Sequence, residues 1–160
     1  MLLSPTAELE RFLISANVLG PWVEGSVRPV ITDSLEGLPR PEESGISTAE
    51  STVSITDWET RPGDRFTNHI DHRVIDIDIR EADAAGTVSC REIFEEIIRA
   101  LNLHSGQLYT PRQVGQLEVS DIRIHGGPSQ SWKYPEQGRA MSMRLGMYIR
   151  RDAYTQPLPI

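Results

Sequence analysis

Two stretches of strict alternation constrain this chain more than anything else in it. Toward the middle, Ile75, Ile77 and Ile79 alternate with Asp76, Asp78 and Arg80. Toward the end, from Ala140 to Arg151, Met141, Met143, Leu145, Met147 and Ile149 alternate with Ser142, Arg144, Tyr148 and Arg150. A period of two sends successive side chains to opposite faces of an extended strand, and the same residues wound into a helix would scatter their apolar members around it. Each stretch is therefore a strand with one apolar and one polar face. Such strands belong to an antiparallel sheet packed on a core on one side and solvated, or holding a partner, on the other.

The first of these strands is read as Phe66 to Arg80, and a second β-rich segment, Ser51 to Trp58, precedes it. Between them Arg61-Pro62-Gly63-Asp64 has the proline and glycine of a tight turn, which predicts a long hairpin. Leu117 to Ile124 reads as another strand, ended by Gly126-Gly127-Pro128, whose glycines followed by Ser129 predict a flexible loop. Two helices complete the pattern. Ser4-Pro5 supplies an N-cap and a first-turn proline ahead of Leu9, Phe12, Leu13 and Ala16, and Gly20-Pro21 stops the repeat. Ser89 and Glu92 form a capping box ahead of an apolar stripe of Ile93, Phe94, Ile97, Ile98 and Leu101.

Between the first helix and the hairpin, residues 20–47 are rich in proline and glycine, and only Val27 to Ile31 looks like a strand, confined by Pro29 to a sheet edge. The expected fold is thus α+β: a mainly antiparallel sheet, two helices on one face, a long hairpin and an extended C-terminal arm. We read one domain over 1–160, with a helix and a Pro/Gly-rich connection in 1–49, the sheet and helix core in 50–151 and the arm in 152–160.

Composition narrows the function. The 160 residues include 23 acidic and 16 basic side chains, a formal charge of −7. Tight, charge-driven nucleic-acid binding requires Lys and Arg to displace phosphate counterions, so this balance argues against it. The single cysteine, Cys90, excludes an intramolecular disulfide and suits a reducing compartment. The start, Met1-Leu2-Leu3-Ser4-Pro5, has no basic and apolar leader, and no stretch approaches the length of a membrane span, so a soluble protein is expected.

Chemistry has few footholds. His69, Asp71 and His72, with Asp76 and Asp78 beyond them, offer nitrogen and oxygen ligands, and a small metal-dependent hydrolase built on His69, Asp71 and His72 is the enzymatic alternative. Residues four apart on a strand lie about 13 Å apart, which does not close a compact site, and the polar face of a sheet explains the run instead. Cys90 opens a helix but lacks the surroundings of a catalytic thiol and reads as a packed side chain. Met141, Met143 and Met147 share their period with Leu145 and Ile149 and read as core. Neither catalysis nor a metal nor a cofactor is expected.

The order of segments carries a resemblance. His72, Val74 and Ile75, then Ile93, Ile97, Ala100 and Leu101, then Leu117, Val119, Ile122 and Ile124, and finally Arg139 with Met141 to Ile149, resemble the tail-terminator (tail-completion, neck) proteins of long-tailed bacteriophages across about residues 50–151. In that family a short helix leads into a β-hairpin, a strand, a helix, a strand, a variable loop and a final strand. The resemblance implies a structural virion protein: a ring of six subunits that caps the tail tube and joins it to the head connector, assembling in the host cytoplasm. Head-completion and tail-tube subunits share this fold and are the neighbouring alternatives.

On that reading the subunit's partners are copies of itself, the tube protein and the connector, and DNA crosses the lumen without specific binding. Interface positions implied are Arg61, Asp64, Phe66, Asp76, Asp78, Arg80, Arg144, Tyr148, Arg150 and Tyr154. Glu50, Glu59 and Asp64 are the acidic residues expected to face the lumen. The hairpin is the expected assembly device.

Overall fold

The computed structural model of the chain describes residues 2–20, 30–31, 51–61, 69–80, 89–103, 112–130 and 140–155. Its elements follow in the order α1 (Pro5–Ser15), β1 (Val30–Ile31), β2 (Thr52–Arg61), β3 (Ile70–Arg80), α2 (Cys90–Ala100), β4 (Arg112–Val114), β5 (Leu117–Val119), β6 (Asp121–Gln130), β7 (Ala140–Arg150) and a 3-10 turn (Arg151–Tyr154). The fold is α+β, with a five-stranded sheet in the order β1-β2-β3-β7-β6 and a separate two-stranded ribbon, β4-β5. All pairs in both are antiparallel except β1 with β2.

Local signals in the sequence set the helices. Ser4 accepts a hydrogen bond from the Ala7 N–H at 3.4 Å with Pro5 in the first turn, and Ser89 accepts from the Glu92 N–H at 3.3 Å. Each contact satisfies one of the amides that a helix start leaves without an internal partner. Asn17 and Asn102 follow the two helices with φ of 60° and 53°, the left-handed region that asparagine tolerates at a helix end. The carbonyls of Leu101 and Asn102 accept from the Arg112 guanidinium, tying α2 to β4.

The two alternating strands lie side by side. Pairing of β3 with β7 runs without interruption from Ile70 opposite Arg150 to Arg80 opposite Ala140. This register sets Ile75 beside Leu145, Ile77 beside Met143 and Ile79 beside Met141, one apolar face across both strands. Buried side chains of both helices (Leu9, Leu13, Ile93, Phe94, Ile97, Leu101) join that face, Val53 and the ribbon residues Val114, Leu117 and Val119 in one core cluster. The expected covering of the sheet by the α2 stripe is what forms. Cys90 is buried, with its thiol 3.6 Å from the Ile79 carbonyl, and Met143 and Met147 lie in the core as their period requires.

Three expectations are corrected. Leu117 to Ile124 is two strands rather than one: β5 pairs with β4 outside the main sheet, and after Ser120, whose N–H donates to the Tyr148 carbonyl, β6 enters it. Gly126-Gly127-Pro128 does not form a loop, because β6 continues through it to Gln130 and takes up the irregularity in two register shifts. An outermost strand tolerates a proline and bulges that a central one does not. The arm is also not extended from its start: 151–154 form the 3-10 turn, the Leu3 N–H donates to the Tyr154 carbonyl at 2.7 Å, and Leu2 bridges Thr155. Residues 156–160, the turn residues 62–64, Phe66 and Glu50 lie outside the described residues, and Arg61 and Glu59 are described only as β2 backbone.

Candidate functional site

The sheet face opposite the helices holds most of the polar side chains singled out from sequence, and the alternation of β3 and β7 puts them there. In successive rows across the sheet the register aligns Ser54, Asp78 and Ser142, then Thr56, Asp76 and Arg144, then Val74 and Gly146, then His72 and Tyr148. From the other side β6 adds Asp121 opposite Tyr148 and Arg123 opposite Gly146.

This face is not an open, solvated surface at its centre. Asp76 and Asp78 are 2% and 1% exposed, which corrects the expectation that they are presented to solvent or to a neighbouring subunit. Asp76 accepts two hydrogen bonds from the Arg144 guanidinium, 2.8 Å from Nε and 3.2 Å from Nη2, the parallel pair that planar guanidinium and carboxylate groups form best. Trp58 lies over that guanidinium with 4.3 Å from the ring centre to Cζ, adding a cation–π contact. Trp58 is on this face because it alternates with Ser54 and Thr56, and it is the extra residue of a bulge between Asp57 and Glu59. Asp78 accepts from the Ser142 hydroxyl across the strand pair. Charges this deep require such partners, since water is no longer available to solvate them.

Toward the β6 side the face is more open and aromatic. The His72 ring stacks on Tyr148, with centroids 4.5 Å apart and planes 5° from parallel. His125 meets His72 edge-on, Nε2 to Nε2 at 2.6 Å. The Arg123 guanidinium lies 5.8 Å from the Tyr148 ring centre and its Nε donates to Asp121 at 2.7 Å. His125 falls within the first register shift of β6, between Ile124 and Gly126.

The constellation that motivated an enzymatic alternative is divided by the geometry of a strand. Asp71 and His72 are consecutive and point to opposite faces. Asp71 accepts from Arg151 Nε at 3.1 Å on the helix side, while His72 turns to Tyr148 and His125, and His69 is exposed in the preceding turn. Among the described residues no three His, Cys, Asp or Glu side chains converge as a ligand set.

Asp71 belongs instead to a polar margin where the apolar face of β3 ends. Arg73 Nη2 donates to Asp57 at 2.8 Å, and the half-buried Tyr154 packs against the core beside these charges. Its hydroxyl is buried beside Asp71. Burial first, then the negative charge of Asp71, push the phenol up to about 12, against the opposing pull of Arg73.

Of the remaining expected interface residues, Arg150 is exposed and paired with Asp152 at 2.8 Å, Tyr148 is partly buried under His72, and Arg80 ends β3 partly buried. Trp58, Asp121, Arg123 and His125 were not anticipated. Trp58 shares its face with Ser54 and Thr56, and His125 with Asp121 and Arg123, so the signal for all four is the period of two in β2 and β6. Comparison of the chain with protein-family models and with curated proteins finds no match. No helix among the described residues is long and apolar enough to cross a membrane.

Proposed function

We propose that this protein is a subunit of a bacteriophage neck ring, a tail terminator that caps the tail tube and joins it to the head connector. The observation that carries this reading is strand β6. It is ten residues long and the outermost strand of the sheet among the described residues, and its side chains from Arg123 to Gln130 are exposed apart from a partly buried Pro128. An outer strand of this length is a template for another chain's backbone unless something covers it. Repeated around a closed rotation, one such head-to-tail contact generates a ring. The order of elements supports the same reading in its outline: a short helix, a long antiparallel strand pair, a second helix and the closing strands, with the β4-β5 ribbon added between α2 and β6.

In the proposed particle the buried Asp76 and Asp78 rows hold each subunit's sheet in shape, and the contacts between subunits fall to the outer strand and to exposed groups such as Arg150. A subunit of net charge −7 offers few cations to phosphate, so DNA would cross a lumen lined by such subunits without adhering. The test is native mass spectrometry and negative-stain imaging of the purified chain at increasing concentration, compared with Ile124→Lys, which places a charge on the outer strand at a position already 37% exposed. Rings of six that disappear in a folded Ile124→Lys variant are the expected result. A monomer at every concentration, with no retention on purified tail tubes, would overturn the reading.

A further inference from the structure

We propose that His72 and His125 form a binding site for a borderline divalent first-row metal ion, of which Zn²⁺ is the type, on the sheet face opposite the helices. The two imidazoles come from strands that are not neighbours, β3 and β6, and meet over the strand between them, β7. Their Nε2 atoms lie 2.6 Å apart. Zinc–imidazole bonds of about 2.0–2.1 Å at tetrahedral angles need nitrogens about 3.3 Å apart, so the rings, which face one another nearly head-on, must part by about 0.7 Å and swing both Nε2 lone pairs toward a common point to admit the ion.

Two features of the surroundings hold the pair in this relation. Beneath it is Gly146, where any Cβ would collide with the His125 ring and lie 2.6 Å from His72 Nε2. The two rings can meet over the β7 backbone because this position has no side chain. Tyr148, two residues along the same strand, stacks on His72 and fixes its plane, while the alternation of β6 puts His125 on the same face as Asp121 and Arg123.

The electrostatics do not oppose a cation. The nearest guanidinium groups, Arg123 and Arg144, are each tied to a carboxylate, Asp121 and Asp76. Coordination asks each neutral ring to keep its proton on Nδ1 and direct the Nε2 lone pair at the ion. If one Nε2 carries the proton of this contact, that proton moves to the Nδ1 of its own ring on coordination, and none is lost. The ligand set is two imidazole nitrogens with water in the other positions, which makes an open site rather than a closed structural one.

The experiment is isothermal titration of the intact protein with ZnCl₂ alone in a non-coordinating buffer at neutral pH, repeated with His72→Gln, His125→Gln and Gly146→Ala, and with His69→Ala as the control. Glutamine retains hydrogen bonding but is a poor zinc ligand, so it separates a metal site from a histidine pair that is only hydrogen-bonded. One ion per chain is expected, with binding weakened at least about tenfold in both glutamine variants and in Gly146→Ala, and unchanged in His69→Ala. Loss of two imidazole resonances to Cu²⁺ broadening in NMR spectra of the parent identifies the ligands even if one variant folds poorly. Binding as tight in both glutamine variants as in the parent, or broadening that spares these two rings, would overturn the proposal.

Discussion

Leu145→Ala puts the assignment of the core to a quantitative test, with Ile124→Ala as its internal reference. The two side chains are register partners on the same face of β7 and β6, yet Leu145 is 0% exposed and Ile124 37% exposed. Truncating Leu145 removes three carbons from a fully dry site, about 2.4 kcal/mol at about 0.8 kcal/mol per buried methylene. Its neighbour across the strand pair, Ile75, is itself fully buried and anchored in a central strand, so the surroundings collapse incompletely and a cavity remains. At about 24 cal/mol per Å³, a residual void of about 40–60 Å³ adds roughly 1–1.5 kcal/mol, for a total of about 3–4 kcal/mol. Ile124 loses less buried area and leaves no closed void, so its truncation costs about 1 kcal/mol. Equilibrium unfolding in urea reads both as a shift of midpoint at constant slope. In a chain of this size the Leu145 variant also melts roughly 6–16 °C lower. If Leu145→Ala lies within about 1 kcal/mol of the parent, or costs no more than Ile124→Ala, the apolar faces of β3 and β7 are not the core.

Four further outcomes are expected. Ultraviolet titration should show a phenol ionising near 12 that vanishes in Tyr154→Phe; because the folded-state pKa is raised, Tyr154 stabilises the fold below about pH 10 and that contribution is lost as pH rises from about 10 to 12. Four indistinguishable phenols would refute it. Arg144→Leu should cost about 3 kcal/mol, because a carboxylate 2% exposed loses its guanidinium, whereas adding Asp76→Leu should recover part of that loss in a double-mutant cycle; strictly additive effects in urea unfolding would show that the pair is uncoupled. Glu8, 1% exposed, accepts from the Gln116 N–H at 2.9 Å and pairs with Arg11, joining α1 to the β4-β5 turn, so Glu8→Ala should lower stability by about 1.5–3 kcal/mol. At the same turn Gly115 has φ +64° and no room for a Cβ beside Glu8, so Gly115→Ala should unfold at lower urea than the parent, and tolerance of both substitutions would place that contact outside the stabilising framework.

What the sequence determined by itself is local. The alternation from Ile75 to Arg80 and from Ala140 to Arg151, the Ser4-Pro5 start and the Ser89/Glu92 box each involve residues within a few positions of one another, and each element forms where its signal lies. Because the period of a strand is two, the faces came with the strands, and the core could be named from Ile75, Ile77, Met143, Leu145 and the α2 stripe before any pairing was known. Partners are another matter. Asp76 reads as surface because its neighbours in sequence alternate polar with apolar; that it is buried follows from Arg144, 68 residues on, and from Trp58 lying over that guanidinium from a strand on the other side. The strand continuing through Gly126-Gly127-Pro128 survives local breakers because pairing with β7 holds it on both sides, at Gly126 and again from Ser129. His72 and His125 are separated by 53 residues and two strand registers, and only the sheet order β3-β7-β6, with a glycine at 146 between them, brings their nitrogens together. Caps and periodicity act over one turn or one pleat, where the chain encodes them directly, whereas register between distant strands is chosen by the whole core at once, and the polar side chains go wherever that choice carries them.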